Sequence, residues 1–253
     1  MFLAIDIGNT NIKLGLHNGN TWHQVTRIES SREAPLEYFQ AKLGEFFDEN
    51  GITPSELSRI VTSSVVPSLK EILTEVFLDF FPIEPLWVGP DIYPLLNIKV
   101  PSPKEIGTDL VANVVATHHF YERNAIIVDF GTALTFTTLS GNGEVLGVSI
   151  APGLKTAVKA LFMNAAQLPE VPLEYPASVM GRDTIHAIQS GILVGYVGLV
   201  RYKLETIRNE VGQDFMAIAT GGLSKILKPL EQDFEVVNRE LTLEGLRIIG
   251  EQV

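Results

Sequence analysis

Short apolar runs alternate along this chain with longer stretches in which apolar residues recur every three or four positions. Runs at 2–6 and 11–17, separated by Gly8-Asn9-Thr10, predict two strands around a tight turn, and 22–28 predicts a third. Over 35–49, Leu36, Phe39, Leu43, Phe46 and Phe47 fall at helical spacing. Residues 59–64 predict a strand. Pro67 then opens a helix, because the first turn has no use for the N–H that proline lacks. Residues 104–121 predict an amphipathic helix with Ile106, Leu110, Val111, Val114 and Val115 on one side. The order then restarts. Strands are predicted at 125–129, 134–139 and 144–151, and helices at 153–165 and 184–211. A strand at 216–219 runs through Thr220-Gly221-Gly222 into a further helix. Strands then helices, twice over, predict two similar α/β lobes, 1–115 and 116–253.

Three of the predicted turns carry polar chemistry. In Asp6-Ile7-Gly8-Asn9-Thr10-Asn11 an apolar strand delivers an aspartate, then a glycine, then small polar residues. Glycine lets backbone N–H groups approach a phosphate, and a carboxylate suits a hydrated Mg²⁺. A plain hairpin turn would use the same residues. Asp129-Phe130-Gly131-Thr132-Ala133-Leu134-Thr135 repeats the device roughly half a chain length later. Two copies, each opening a lobe, point to a pair of loops gripping the phosphates of one nucleotide. Ala219-Thr220-Gly221-Gly222-Leu223 joins strand to helix through paired glycines, which leave room for a ribose or a flat ring. No Gly-x-x-x-x-Gly-Lys-Ser/Thr occurs, so the phosphate loop is not of the Walker kind.

Composition narrows the function. With 45% hydrophobic and 19% charged residues the chain is an ordinary globular mix, and no apolar run approaches the roughly 18 residues of a membrane span. The first residues lack the basic stretch of a signal peptide, so the expected location is the cytoplasm. The absence of cysteine excludes disulfides, thiolate nucleophiles and thiolate metal sites. A net charge of -11 argues against nucleic acid and anionic membranes as partners. It leaves a nucleotide possible, since such sites use backbone N–H groups and a metal ion.

The three loops in series resemble the actin-like ATPase and sugar kinase superfamily, which implies two ribonuclease H-like lobes, each a mixed sheet flanked by helices, with ATP in the cleft between them. Gly107-Thr108-Asp109, Ile150-Ala151-Pro152-Gly153-Leu154, Ala187-Ile188-Gln189-Ser190-Gly191 and Leu241-Thr242-Leu243-Glu244-Gly245-Leu246 extend the match over almost the whole chain. Together with the loops they resemble, in order, the motifs of type III pantothenate kinases. The resemblance implies a dimeric transferase that phosphorylates pantothenate with ATP, Mg²⁺ and a monovalent cation (K⁺ or NH₄⁺) in the first step of coenzyme A biosynthesis. It implies that Asp6, Ile7, Gly8, Asn9, Thr10, Asn11, Ile12 and Lys13 form the first phosphate loop, with Asp6 holding Mg²⁺ through water. Thr132, Gly221 and Gly222 would contact ATP, and Asp129 the monovalent cation. Asp109 would be the general base, within a substrate set of Val100, Gly107, Thr108, Leu110 and Thr184, the last reaching a neighbouring subunit's site. Read without the family, Asp109 is equally an ordinary acid in a first helical turn.

Some positions depart from the family pattern. Leu110 stands where the family has a substrate-holding arginine, Val100 where it has a tyrosine, Thr137 where an aspartate is common, and Gly181-Arg182-Asp183-Thr184 replaces Gly-Lys-Asn-Thr. Losing the arginine removes charged hydrogen bonds worth about 1.5–3 kcal/mol each to an acidic substrate. Arg182 or Lys155 could replace it, or the acceptor could be another small alcohol. A phosphohydrolase and an ATP-binding regulator without kinase activity are the remaining readings. The hydrolase would want several cations for a polyanion, and the regulator would not need a base. Gly191, Gly195 and Gly198 share one helix face and predict close approach of another backbone, either within the chain or across a dimer seam. His186 is close enough to Thr184 to line a pocket, whereas His118 and His119 suit the C-terminal end of their helix.

Overall fold

The computed structural model describes residues 1–165, 168–222 and 227–253. It divides into two compact units: Met1–Phe120 with Leu241–Val253, and Tyr121–Glu240.

The first unit is built on the sheet β3-β2-β1-β4-β5. Its strands are β1 (Phe2–Ile7), β2 (Asn11–His17), β3 (Trp22–Glu29), β4 (Arg59–Ser64) and β5 (Leu86–Trp87). Its helices are α1 (Leu36–Asn50), α2 (Pro67–Phe80), α3 (Thr108–Tyr121) and α7 (Leu241–Gln252). β1 pairs antiparallel with β2 and parallel with β4. The alternation along the strands sends Leu3, Ile5, Ile7, Ile12, Leu14 and Leu16 into one core with Phe39 and Phe46 of α1 and Leu69 and Phe77 of α2. The opposite face meets α7. A Cβ on Gly250 would press on Val61 and Phe2, and one on Gly15 would press on Leu243.

The second unit repeats the plan in the sheet β10-β9-β6-β7-β8. Its strands are β6 (Ala125–Phe130), β7 (Ala133–Leu139), β8 (Val145–Pro152), β9 (Met216–Thr220) and β10 (Val236–Val237). α4 (Leu154–Asn164), α5 (Thr184–Gln189) and α6 (Gly195–Val211) complete it. Here β6 pairs antiparallel with β7 and parallel with β9, so β6, β7 and β9 repeat the roles of β1, β2 and β4. Ile126, Val128 and Phe130 face a core with Leu193, Val197 and Val200. The expected pair of mixed, helix-flanked α/β units is therefore present.

The details differ in four places. The division falls after Phe120 instead of near 115, and the C-terminal helix belongs to the first unit. The cause is α7, which packs on β1 and β4 and locks to α3: Thr242 Oγ1 donates to Asn113 Oδ1 at 2.9 Å, inside the core. α3 starts at Thr108 instead of 104, because Glu105 and Ile106 donate their N–H groups back to the Ser102 carbonyl in a turn. It is also buried on every side from Leu110 to Thr117, not on one face. Finally, the predicted helix over 184–211 is interrupted by a wider π turn at Ser190–Val194. The helix expected after Gly222 begins on residues 223–226, outside the described residues. Two-residue β5 and β10 are too short to show a periodic signal.

Gly245 makes the lock between α7 and α3 possible. A Cβ there would meet the Ala112 carbonyl oxygen at 1.9 Å. Gly245→Ala is expected to destabilise the protein by about 3 kcal/mol, at the upper end of overpacking costs. Urea unfolding measures it, and an unchanged midpoint would show that the two helices are not in close contact.

Candidate active site

The first hairpin separates buried from exposed residues. Ile7 and Ile12 are core side chains, 0% and 2% exposed, so they offer a ligand only backbone. Asn9, Thr10 and Asn11 form the exposed tip, and Gly8 N–H donates to the Asn11 carbonyl at 3.0 Å. A Cβ on Gly8 would lie 3.1 Å from that carbonyl oxygen, a tight approach that glycine avoids. Asp6 is opposite Lys13 in one strand register and Ser63 in the other. Paired residues project from the same face of a sheet, so the carboxylate, the ammonium and the hydroxyl form one polar patch.

That patch continues to Asp109. Ser63 Oγ donates to Asp6 Oδ1 at 3.2 Å and contacts Thr108 Oγ1 at 2.9 Å. Thr108 Oγ1 accepts from Ser64 N–H at 3.2 Å and donates to the Ser64 carbonyl at 3.1 Å. Thr108 therefore pins the start of α3 to the end of β4 and fixes Asp109, the next residue. The Leu110 N–H donates to Asp109 Oδ1 at 2.8 Å. Burial pushes the Asp109 carboxyl above its ordinary value, and this outweighs the backbone hydrogen bonds that pull it down. A raised carboxyl is a better proton acceptor than an ordinary aspartate. Tyr93 lies near enough to sense it. Burial, and secondly the Asp109 charge, push the Tyr93 hydroxyl up to about 12. That hydroxyl is buried without a hydrogen-bond partner among the described residues.

The second unit joins two of the predicted loops. Gly221 has φ +89°, and a Cβ there would meet Asp129 Oδ1 at 2.5 Å, so the Asp129 carboxylate lies directly against Gly221. Gly222 has no such constraint among the described residues. Asp129 is opposite Thr135 and Thr220 in register. The hydroxyls of Thr135, Thr137 and Thr220 are buried without partners among the described residues. A carboxylate among spare hydroxyl oxygens fits a monovalent cation. Asp6, with exposed polar groups beside it, fits Mg²⁺ held through water. Among the described residues there is no group of three or more His, Asp or Glu that could hold a metal by protein ligands alone. The Thr132 carbonyl accepts from Gly153 N–H at 3.0 Å and from Thr156 Oγ1 at 2.7 Å, which secures the second turn.

Thr184 is exposed at the first position of α5, behind its cap Asp183, whose Oδ1 accepts from His186 N–H at 2.8 Å. The His186 ring is engaged with the Ser178 carbonyl at 3.0 Å, so it ties the loop down instead of lining a pocket. The predicted close approach at Gly191, Gly195 and Gly198 is not made by the described residues of the chain. A Cβ on any of them would meet nothing within 4 Å among the described residues, and all three are exposed. An open cavity of about 810 Å³ in this unit, lined by Tyr121, Ala219, Phe234 and Asn238 among others, contains none of the predicted site residues.

A model of the type III pantothenate kinase family matches residues 2–206. The type III pantothenate kinase of Anaeromyxobacter sp. (strain Fw109-5) is 38% identical over 252 residues, covering 100% of this chain and 99% of that protein. The chain belongs to the type III pantothenate kinase family. Solved structures agree on the fold. A Campylobacter jejuni protein assigned to the Baf family of transcriptional activators superposes with a TM-score of 0.61 at 18% identity, over 99% of this chain and 98% of that one. MreB 5 of Spiroplasma citri, bound to AMPPNP, gives 0.54 at 11% identity over 99% and 96%. The fold of this pantothenate kinase family member is thus the actin-like, sugar-kinase-like one. Within it Leu110 is only 7% exposed, a buried side chain that serves Asp109 through its amide, while Val100 is partly exposed. Sequence reasoning missed Ser63 and Tyr93. Ser63 was recoverable only by aligning the β4 strand with β1, and Tyr93 carried no signal.

Gly107 sets the position of the carboxylate. A Cβ there would meet Asp109 Oδ1 at 2.4 Å, and only the short carboxylate would have to move. Gly107→Ala is expected to fold normally and to lose about 100-fold in kcat, the scale of a 1 Å misplacement of a reacting group. Steady-state kinetics beside a melting curve checks it, and a wild-type kcat would dissociate Asp109 from the chemistry.

Proposed function

We propose that this protein transfers the γ-phosphoryl group of ATP to the primary hydroxyl of pantothenate, giving ADP and 4'-phosphopantothenate in the first step of coenzyme A biosynthesis. Family membership favours this over a hydrolase or a non-catalytic regulator. The observation that carries it is the half-buried Asp109 carboxyl, raised in basicity by desolvation and tied through Thr108 and Ser63 to Asp6 on the first hairpin.

In this mechanism the Gly8, Asn9, Thr10 and Asn11 tip binds the phosphates, with Lys13 behind it, and Thr132 and the Gly221-Gly222 pair contribute to ATP binding. Asp109 accepts the hydroxyl proton as the oxygen–phosphorus bond forms, and the bond to the bridging oxygen breaks toward ADP. Mg²⁺ beside Asp6 and K⁺ or NH₄⁺ beside Asp129 would neutralise phosphate charge when bound. Gly107, Thr108, Leu110, Val100 and Thr184 would border the acceptor. ATP supply puts the reaction in the cytoplasm.

A homodimer completes this reading, with Thr184 reaching the neighbouring subunit's site. Leu146, Val148 and Ile150 project as an exposed apolar row from the edge strand β8, and Phe162 and Met163 of α4 are exposed as well. Exposed apolar side chains of this kind, and a glycine face that none of the described residues covers, are what a subunit interface uses. Gly195→Leu is expected to shift the protein to monomer in size-exclusion chromatography with light scattering, leaving secondary structure unchanged. An unaltered oligomer would remove this face from the interface.

Asp109→Asn tests the chemistry. The variant should bind ATP normally and lose at least about 100-fold in kcat, the low end of what a positioned base supplies. The pH dependence has a defined sign. Asp109 must be ionised to act, so the acidic limb of the wild-type kcat/KM profile should lie above the ordinary aspartate range of about 4. For stability, a carboxyl whose folded pKa is raised costs the native state when ionised and nothing when protonated. Asp109→Asn should therefore melt higher than wild type at neutral pH, with the difference vanishing as pH falls through the carboxyl's titration. ATP turnover should require pantothenate. Because Leu110 supplies no cation, the same assay over other small alcohols decides acceptor identity, and turnover with another alcohol but not with pantothenate would overturn the named substrate.

A further inference from the structure

The chain leaving β3 folds back onto the first hairpin turn. Ser30 N–H donates to the Thr10 carbonyl at 3.0 Å, and Ser30 Oγ donates to the Gly8 carbonyl at 2.7 Å. Ser30 therefore braces the turn from both sides. Two residues on, Arg32 Nη2 donates to Asn9 Oδ1 at 2.7 Å. Its acceptor is a neutral amide, and Arg32 takes part in no ion pair among the described residues, so its positive charge is not cancelled. Arg32 is exposed, at the tip of the hairpin that carries Asp6, on a chain of net charge -11. Bracing alone does not call for an arginine here, since Ser30 already holds the backbone. A guanidinium has five N–H donors in a planar fork that matches a phosphate, and the Asn9 bond uses one of them.

We propose that Arg32 is a catalytic residue: held at the turn by Asn9, its guanidinium binds the terminal phosphate of the bound nucleoside triphosphate and stabilises the phosphoryl group in transfer. This rests on reading the first hairpin as the nucleotide phosphate loop. Arg32 exchanges no proton. The acceptor oxygen–phosphorus bond forms, the bridging bond breaks with its electron pair leaving on the diphosphate, and the cation offsets charge on the non-bridging oxygens. Lysine is a point charge and would replace it only in part.

The test uses the full chain with Arg32→Gln and Arg32→Lys. Arg32→Gln is expected to lower kcat about 10- to 100-fold, the worth of one or two charged hydrogen bonds, with an unchanged melting temperature. It should weaken binding of a non-hydrolysable ATP analogue while leaving ADP affinity intact. Arg32→Lys should fall between Arg32→Gln and wild type, and guanidinium ion at non-denaturing concentration should restore part of the Arg32→Gln rate. Wild-type kcat and analogue affinity in Arg32→Gln, or equal weakening of analogue and ADP, would overturn the proposal. Should wild-type protein phosphorylate no acceptor, the kinase reading fails, and the comparison of analogue with ADP still decides whether Arg32 meets the terminal phosphate.

Discussion

The parallel register of β1 against β4 is the constraint on which the candidate site depends. It sets Asp6 opposite Ser63, and Ser63 then reaches Thr108 at the start of α3. A slip of one residue would turn Ser63 to the other face of the sheet and break the chain of hydroxyls between the first hairpin and Asp109. The register is well protected, because the same slip would turn Ile60 of β4, 1% exposed, out of the core it shares with Leu3, Ile5 and Ile7. The polar site is thus positioned by the apolar core on the opposite face.

The second unit reuses the arrangement with different chemistry. Thr220 stands opposite Asp129 as Ser63 stands opposite Asp6, and Thr135 stands where Lys13 does. In the first unit the residue opposite the aspartate is a cation, Lys13. In the second it is a neutral hydroxyl. The two units share the geometry and differ at single positions in register. Gly221 adds the remaining condition, since any side chain there would displace Asp129.

The burial of Asp109, the proposed base, is a compromise. Seating Asp109 at the head of a helix enclosed on all sides raises its carboxyl and sharpens it as a proton acceptor, at a cost to native stability when it is ionised. Leu110 contributes to both effects, burying the first turn with its side chain and holding the carboxylate with its amide. The buried, unpartnered hydroxyl of Tyr93 places a second titratable group under the influence of the same charge.

The order of strands and helices, the duplicated hairpins, the Asp6, Asp109 and Asp129 carboxylates and the glycines around them were all legible in the residues. Each is a local matter of periodicity or turn chemistry, and the family motifs named their roles. Which sheet the last helix covers, where α3 begins, and the contacts of Ser63, Tyr93 and Arg32 were not legible. These depend on contacts between segments far apart in the chain: α7 on α3, β4 on β1, and the β3 exit on the hairpin tip. An apolar stripe specifies that a helix must be buried and not against what, and a serine on a strand is indistinguishable from any other until pairing sets its neighbour. The sequence alone determined the chemistry available to this protein, and tertiary packing decided which of those groups meet, because only packing brings distant residues within hydrogen-bonding distance.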